Sequence, residues 1–309
     1  MTPIQPAKHY HTTFFDAARW QEIEVRPDDI IVATPYKAGT TWTQNIVLHL
    51  IFQDLELRKI NEFSPWVEMR FNDFDEIQER LVQQKNRRVM KSHIAFDGIL
   101  FYPALKYIFV ARDPRDIFMS LWNFYTAFGD EMYAPIEDPT IPDLPRPPED
   151  ILECWDNWIS RGFIEGETDG YPFWSCFHQM KSWWDQQQRP NVLFLHYNDM
   201  LGDLSGQIAR IAQFLGIEVA DDKLAAITDL CTFESMKRDA PTINRDDEDF
   251  LAGGARTFFF KGTNQRWRGV LDEPRLAQYE AVATKVMGPE CKAWMETGGG
   301  DLGWGMPGA

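Results

Sequence analysis

IIVATPYKAGTTWTQNIVLHL, residues 30–50, joins a short apolar run to a helix-forming run through a turn that carries Lys37, Gly39, Thr40 and Thr41. Strand, turn and helix in that order make an anion site, because free N–H groups and the positive dipole end of the helix face the turn. Gly39 allows close backbone approach, Lys37 adds a mobile charge, and the threonines add hydroxyl donors. An ATP-binding P-loop ends Gly-Lys-Ser/Thr, whereas here the lysine comes two residues before the glycine. Taken alone, the stretch fits an ordinary strand-to-helix turn equally well.

Three further apolar runs, 88–90, 107–111 and 192–195, read as strands beside 30–33. Helical patterns lie between most of them, which predicts an α/β fold with a central parallel sheet covered by helices on both faces. In such sheets ligands bind beyond the carboxyl ends of the strands. A single domain over residues 1–297 is expected. It carries a proline-rich, lid-like insertion at about 134–150, followed by a flexible glycine-rich tail at 298–309.

Composition narrows the function. The chain has 309 residues, 44% of them hydrophobic, with 22 Phe and 12 Trp, enough to bury a core. Its net charge of −16 disfavours nucleic acid and anionic membranes, so an anionic ligand needs positive charge gathered locally. Cys154, Cys176, Cys231 and Cys291 are spaced too widely for a metal site or a disulfide framework, which suits a reducing, cytoplasmic compartment. No window approaches the roughly 18 apolar residues of a membrane span. His9 and His11 lie in an N-terminal stretch expected to be floppy rather than metal-binding.

Each strand end carries chemistry. The second ends at Lys91-Ser92-His93, where a histidine can act as a general base near neutral pH. The third runs into Arg112-Asp113-Pro114, with Pro114 suited to a first helical position, Asp113 to its cap, and Ser120 two turns further. Arg112 can grip a phosphate in fork geometry. A Walker-type ATPase needs an aspartate at such a strand end to hold magnesium, so Arg112 points to a phosphate site without a metal. The fourth strand ends at His196-Tyr197. Two later stretches, LCTFESMK (230–237) and TFFFKGTNQRW (257–267), offer a stacking surface, Phe258 included, beside Lys261-Gly262. The second of them also fits a plain apolar strand followed by a charged turn.

In this order the pieces resemble the cytosolic-type sulfotransferases, whose donor is 3′-phosphoadenosine 5′-phosphosulfate. Lys37-Ala38-Gly39-Thr40-Thr41-Trp42 is similar to their phosphosulfate loop, and Lys91-Ser92-His93 to their K-T/S-H. Arg112 through Ser120 is similar to their 3′-phosphate motif R-x-P-x-D-x-x-x-S. Tyr197 falls at an adenine-side tyrosine; Thr232, Phe233 and Met236 match S-F-x-x-M, and Lys261-Gly262 matches R-K-G. The resemblance covers about residues 28–270. It implies Lys37 as leaving-group acid, Lys91 as transition-state stabiliser and His93 as base. Arg112 and Ser120 would hold the 3′-phosphate, and no metal is required. The implied acceptor is a small, apolar or aromatic molecule with a hydroxyl or amine. Trp66, Phe71, Phe128, Tyr133 and Trp174 are candidates for its pocket, and each fits a plain core aromatic equally well. Rival readings are a P-loop kinase-like phosphotransferase and a non-catalytic adenosine-bisphosphate-binding protein.

The chain also departs from the family pattern. Pro35 and Tyr36 stand in exchanged order. Phe260 replaces the arginine of R-K-G, and Gln265-Arg266-Trp267 replaces G-D-W, leaving Arg266 or Arg268 to supply the missing charge. No C-terminal dimerisation motif is recognisable, so the oligomeric state is open.

Overall fold

A computed structural model describes residues 2–134, 138, 140–244, 251–300 and 302. Among these residues the central sheet has four parallel strands, β1 (Ile30–Ala33), β2 (Val89–Ser92), β3 (Lys106–Ala111) and β4 (Val192–His196), in the order β2-β1-β3-β4. Continuous burial explains the unbroken apolar runs, since both faces of each strand are covered. Alternate side chains divide between two cores. Ile31, Ala33, Tyr107, Phe109 and Phe194 face one, while Ile30, Val32, Ile108, Val110 and Leu195 face the other.

Helix α1 (Thr40–Phe52) covers the second face with α7 (Leu204–Leu215), α8 (Asp221–Leu230) and α9 (Phe233–Ile243). The first face is covered by α3 (Pro114–Tyr125), α4 (Ile151–Ser160), α5 (Cys176–Trp184), α11 (Glu273–Met287) and α12 (Pro289–Thr297). Short α6 (Tyr197–Gly202) follows β4 directly, α2 (Phe74–Gln83) precedes β2, and α10 (Ala255–Phe258) stands near α9. The expected α/β architecture is therefore present. At the amino ends of β1 and β2, away from the strand ends that matter for ligands, Arg88 and Asp29 form a buried two-pronged ion pair at 2.8 and 2.5 Å.

The N-terminal segment corrects the sequence expectation. It is not floppy: Tyr10, Thr12, Thr13, Phe14 and Phe15 are buried. Phe15 meets the Trp174 ring edge-on at 4.8 Å, and Asp16 donates its N–H to the carbonyl of Glu68 at 2.9 Å. Aromatic burial across distant segments overrides the polar local sequence. His9 and His11 each pair with Asp16. Of the proline-rich stretch, residues 135–137 and 139 lie outside the described residues; Ile141 and Leu144 are buried, and Pro142 accepts from Thr13 Oγ1 at 3.0 Å. Of the glycine-rich tail, residues 301 and 303–309 lie outside the described residues. The run 257–260 is not a strand, because α10 takes in Phe258 and the chain then turns.

Candidate active site

The loop between β1 and α1 is shaped by two left-handed residues, Lys37 at φ 58° and Gly39 at φ 110°. A Cβ on Gly39 would stand 3.2 Å from the ring of Tyr197, so glycine is needed both for the backbone angle and for the packing. Thr34 and Thr40 share a hydroxyl–hydroxyl hydrogen bond of 2.5 Å across the loop. The exchanged Pro35-Tyr36 order has a structural use: the Tyr36 side chain is buried, and its hydroxyl accepts from the Trp158 indole at 2.8 Å.

His93 follows β2 and is held from behind. Its backbone N–H donates to Glu68 at 2.7 Å, and the same carboxylate accepts from Ser92 Oγ at 3.1 Å and Trp20 Nε1 at 2.9 Å. Burial raises the Glu68 carboxyl above its usual range, and these hydrogen bonds oppose the rise. The imidazole Nδ1 lies 2.7 Å from the carbonyl oxygen of Thr34. A carbonyl only accepts, so Nδ1 carries the proton and Nε2 keeps its lone pair. Burial, and after it the charge of Lys91, push His93 well below the ordinary histidine range; the Thr34 bond resists and Lys37 adds to the depression. The ring is therefore neutral near neutral pH. Trp66 stands at right angles to it, 4.8 Å between centroids.

The two lysines lie on aromatic faces, a favourable setting for a cation. Lys37 Nζ is 3.7 Å from the Phe258 ring centroid and 4.1 Å from that of Phe124; Lys91 Nζ is 4.3 Å from that of Trp66. Phe124 was not foreseen as a site residue. It sits four residues after Ser120 on α3, hence on the same helical face, and that spacing is the signal that marks it.

At the end of β3, Asp113 caps α3 through the N–H of Arg115, with Pro114 in the first turn, as its sequence suggests. Arg112 is 5% exposed and stitches three segments together. Its Nε donates to Asn264 Oδ1 at 2.9 Å, and its terminal nitrogens donate to the carbonyls of Lys37 at 3.2 Å and Thr263 at 3.1 Å. Its guanidinium also lies 4.2 Å over the Tyr197 ring, which in turn meets Trp42 at 5.3 Å. Arg112 is thus a brace between the loop carrying Lys37 and the loop carrying Thr263 and Asn264, as well as a cation. Asp116, buried, accepts the backbone N–H groups of Gln265 at 2.8 Å and Arg266 at 3.0 Å. From the sequence Asp116 is only the aspartate of the R-x-P-x-D-x-x-x-S pattern, with no role assigned, and Asn264 is not marked at all; each is some 150 residues from its partners.

These parts border one cleft at the carboxyl edge of the sheet, with about 970 Å³ of open space. Lys37, Gly39, Thr40, Thr41, Trp42, Lys91, His93, Arg112, Ser120, Tyr197, Phe233, Met236, Phe258, Lys261 and Gly262 line it. Two of the expected residues do not line it. Ala38 is turned into the core, and Thr232 instead caps α9 by accepting from Ser235 N–H at 3.2 Å. Phe260 and Arg266 border the cleft, whereas Arg268 lies exposed outside it.

A second, larger cavity adjoins the first. Trp66, Lys91, Phe124 and Phe258 border both. Of the aromatics considered for an acceptor pocket, Trp66, Phe71 and Phe128 line this cavity. Tyr133 and Trp174 do not; Trp174 packs beneath His93 at 5.7 Å. Phe14 and Met132 add apolar wall, and Asn72, Asp73 and Glu76 add a polar rim.

The sulfotransferase domain family matches this chain over residues 27–289, so the chain belongs to the sulfotransferase family. It is 27% identical over 315 residues to a glycolipid sulfotransferase of Mycobacterium bovis, covering 96% of each, and 28% identical to human sulfotransferase 1C2 over 93% and 90% of the two chains. The fold is that of a mouse sulfotransferase complexed with PAP, with a TM-score of 0.68, 20% identity and 90% and 92% of the two chains covered. It is also that of retinol dehydratase in complex with androsterone and inactive cofactor PAP, with a TM-score of 0.65, 23% identity and 87% and 83% covered.

Proposed function

We propose that the protein moves a sulfuryl group from 3′-phosphoadenosine 5′-phosphosulfate to a hydroxyl, or an amine, of an amphiphilic acceptor. The observation that carries this is convergence: Lys91 borders both the cleft and the second cavity, while Lys37 and His93 line the cleft and pack on Phe124, Phe258 and Trp66, which border both. A donor in the cleft and an acceptor in the cavity would meet there in line.

In this reading the acceptor oxygen attacks sulfur as its proton passes to Nε2 of His93. The bond between sulfur and the bridging 5′-phosphate oxygen breaks, and 3′,5′-adenosine bisphosphate leaves. Lys37 follows charge onto the bridging oxygen, and Lys91 meets charge on the equatorial oxygens; cations fixed in a water-poor site are effective there. Membership of the sulfotransferase family favours this over the kinase reading. The aromatic wall and polar rim of the second cavity suit an acceptor with an apolar body and a polar head, and relatives described as glycolipid sulfotransferases fit that class. We also infer a cytoplasmic setting, supported by four buried, unpaired cysteines.

The test pairs a mutation with a screen. His93→Ala should lower turnover by roughly 10²–10⁴-fold, the scale of lost general-base catalysis, while 3′,5′-adenosine bisphosphate binds as before. Near-normal turnover removes His93 from the role. A donor-saturated screen of lipid-linked glycosides, steroids and phenols, read as mass gain, identifies the acceptor class; no sulfated product from any of them favours the non-catalytic reading.

A further inference from the structure

The cleft gathers cations. Arg112, Lys261 and Arg266 all border it, with the Ser120 hydroxyl-bearing side chain on α3. Among the described residues neither Arg112 nor Arg266 has a carboxylate within ion-pairing distance. The buried Asp116 has both oxygens engaged by the backbone N–H groups of Gln265 and Arg266. Burial, then the neighbouring charge of Arg112, lowers the Arg266 guanidinium below its ordinary range, and Asp116 opposes this. Asp116 offsets only part of the charge of the two neighbouring guanidiniums, a setting that favours an anion beside them.

The backbone is bent to bring Arg266 there. Gln265 sits at φ 62°, a left-handed angle unusual for a side-chain-bearing residue, and Asp116 pins both Gln265 and Arg266 by their N–H groups. Strain of this kind persists only where the surroundings fix it. The Arg266 guanidinium then lies 4.7 Å over the ring of Phe260. Phe260 is 41% exposed, so its ring is not there to fill the core; it forms a platform for the guanidinium. Arg268, by contrast, is 5.0 Å over Trp267 and does not border the cleft.

We propose that Arg266, seated on Phe260 and positioned by Asp116, reads the 3′-phosphate of the donor together with Ser120 and Arg112. The aromatic residue at position 260 thus takes part in the grip by holding an arginine from six residues later. This rests on the donor assigned above. Arg112 is a poor probe of it, because its loss also unties Lys37, Thr263 and Asn264. Among the described residues the Arg266 side chain makes no hydrogen bond to the protein and rests on the Phe260 ring, so Arg266→Gln isolates the ligand contact.

The experiment titrates 3′,5′-adenosine bisphosphate and adenosine 5′-monophosphate into wild type, Arg266→Gln, Arg266→Lys and Phe260→Ala, with thermal melts of each. A charge-assisted contact corresponds to roughly ten- to a hundredfold in affinity. Arg266→Gln should lose that factor for the bisphosphate and hold the monophosphate within about twofold. Arg266→Lys should retain part of the preference, and Phe260→Ala should lose part of it, with melting temperatures unchanged. If wild type prefers the bisphosphate and Arg266→Gln keeps the full preference, or loses both nucleotides equally, the assignment of Arg266 is overturned while the donor stands. If wild type binds both nucleotides equally, the donor reading itself fails.

Discussion

The imidazole Nδ1 of His93 lies 2.7 Å from the carbonyl oxygen of Thr34, a residue of the same loop that carries Lys37. One hydrogen bond therefore sets the tautomer of His93, the proposed base, and fixes it to the loop proposed to hold the leaving group. Two separate strand ends are made to keep a common geometry.

The first prediction concerns pH. A base must be unprotonated to work, and His93 is held well below 6.5 by burial and then by Lys91. The acid limb of kcat/KM for the donor should therefore lie below the ordinary histidine value, with no loss of rate on going from pH 8 down to about 7. Lys91→Met removes the second cause of the depression, so the limb should move to higher pH even as the maximal rate drops. A wild-type limb at or above the ordinary value would contradict this placement of His93.

A second prediction concerns Gly39. Alanine there must take a left-handed angle, costing about 1–2 kcal/mol, and its Cβ would press on the Tyr197 ring at 3.2 Å. On the proposed reading loop and ring serve the shared part of both ligands, so Gly39→Ala should weaken adenosine bisphosphate and adenosine monophosphate together. A selective loss of one nucleotide in calorimetric titration would argue otherwise.

Arg88 and Asp29 supply a stability prediction at the opposite end of the sheet. Arg88→Met leaves Asp29, which has no exposed surface, without its bidentate partner. Breaking one side of a buried pair costs about 3–5 kcal/mol. The denaturant midpoint should fall accordingly, with KM for the donor unchanged in the folded fraction. A shifted KM would show that the two ends of β1 and β2 are coupled.

Metal removal gives a fourth. The charges bordering the cleft are Lys37, Lys91, Arg112, Lys261 and Arg266, all of the sign that repels a cation. Turnover in excess chelator should equal turnover in magnesium once ionic strength is matched. Activity restored by magnesium alone would require another donor chemistry.

Much of this was legible because parallel strands buried on both faces must be continuously apolar. The runs around Ile31, Met90, Phe109 and Phe194 mark the sheet, and the sheet then says where to search. The strand-end groups Lys37, His93 and Arg112 follow from that geometry. What escaped depends on contacts between remote segments. Thr12 to Phe15 look like a polar start to the chain until Trp174 and Glu68 arrive to bury them. Asp116 and Asn264 gain their roles only from loops about 150 residues away. The aromatic run 257–260 carries strong β-propensity, yet α10 forms there, because Phe258 and Phe259 pack among helix α9 and its neighbours rather than in a sheet.

Trp66, Lys91, Phe124 and Phe258 belong to both cavities, so a change at any of them alters both at once. On the proposed reading these four positions cannot be tuned for the acceptor without touching the donor side, whereas Phe71 and Phe128 border the second cavity and not the first and are free to vary with the acceptor.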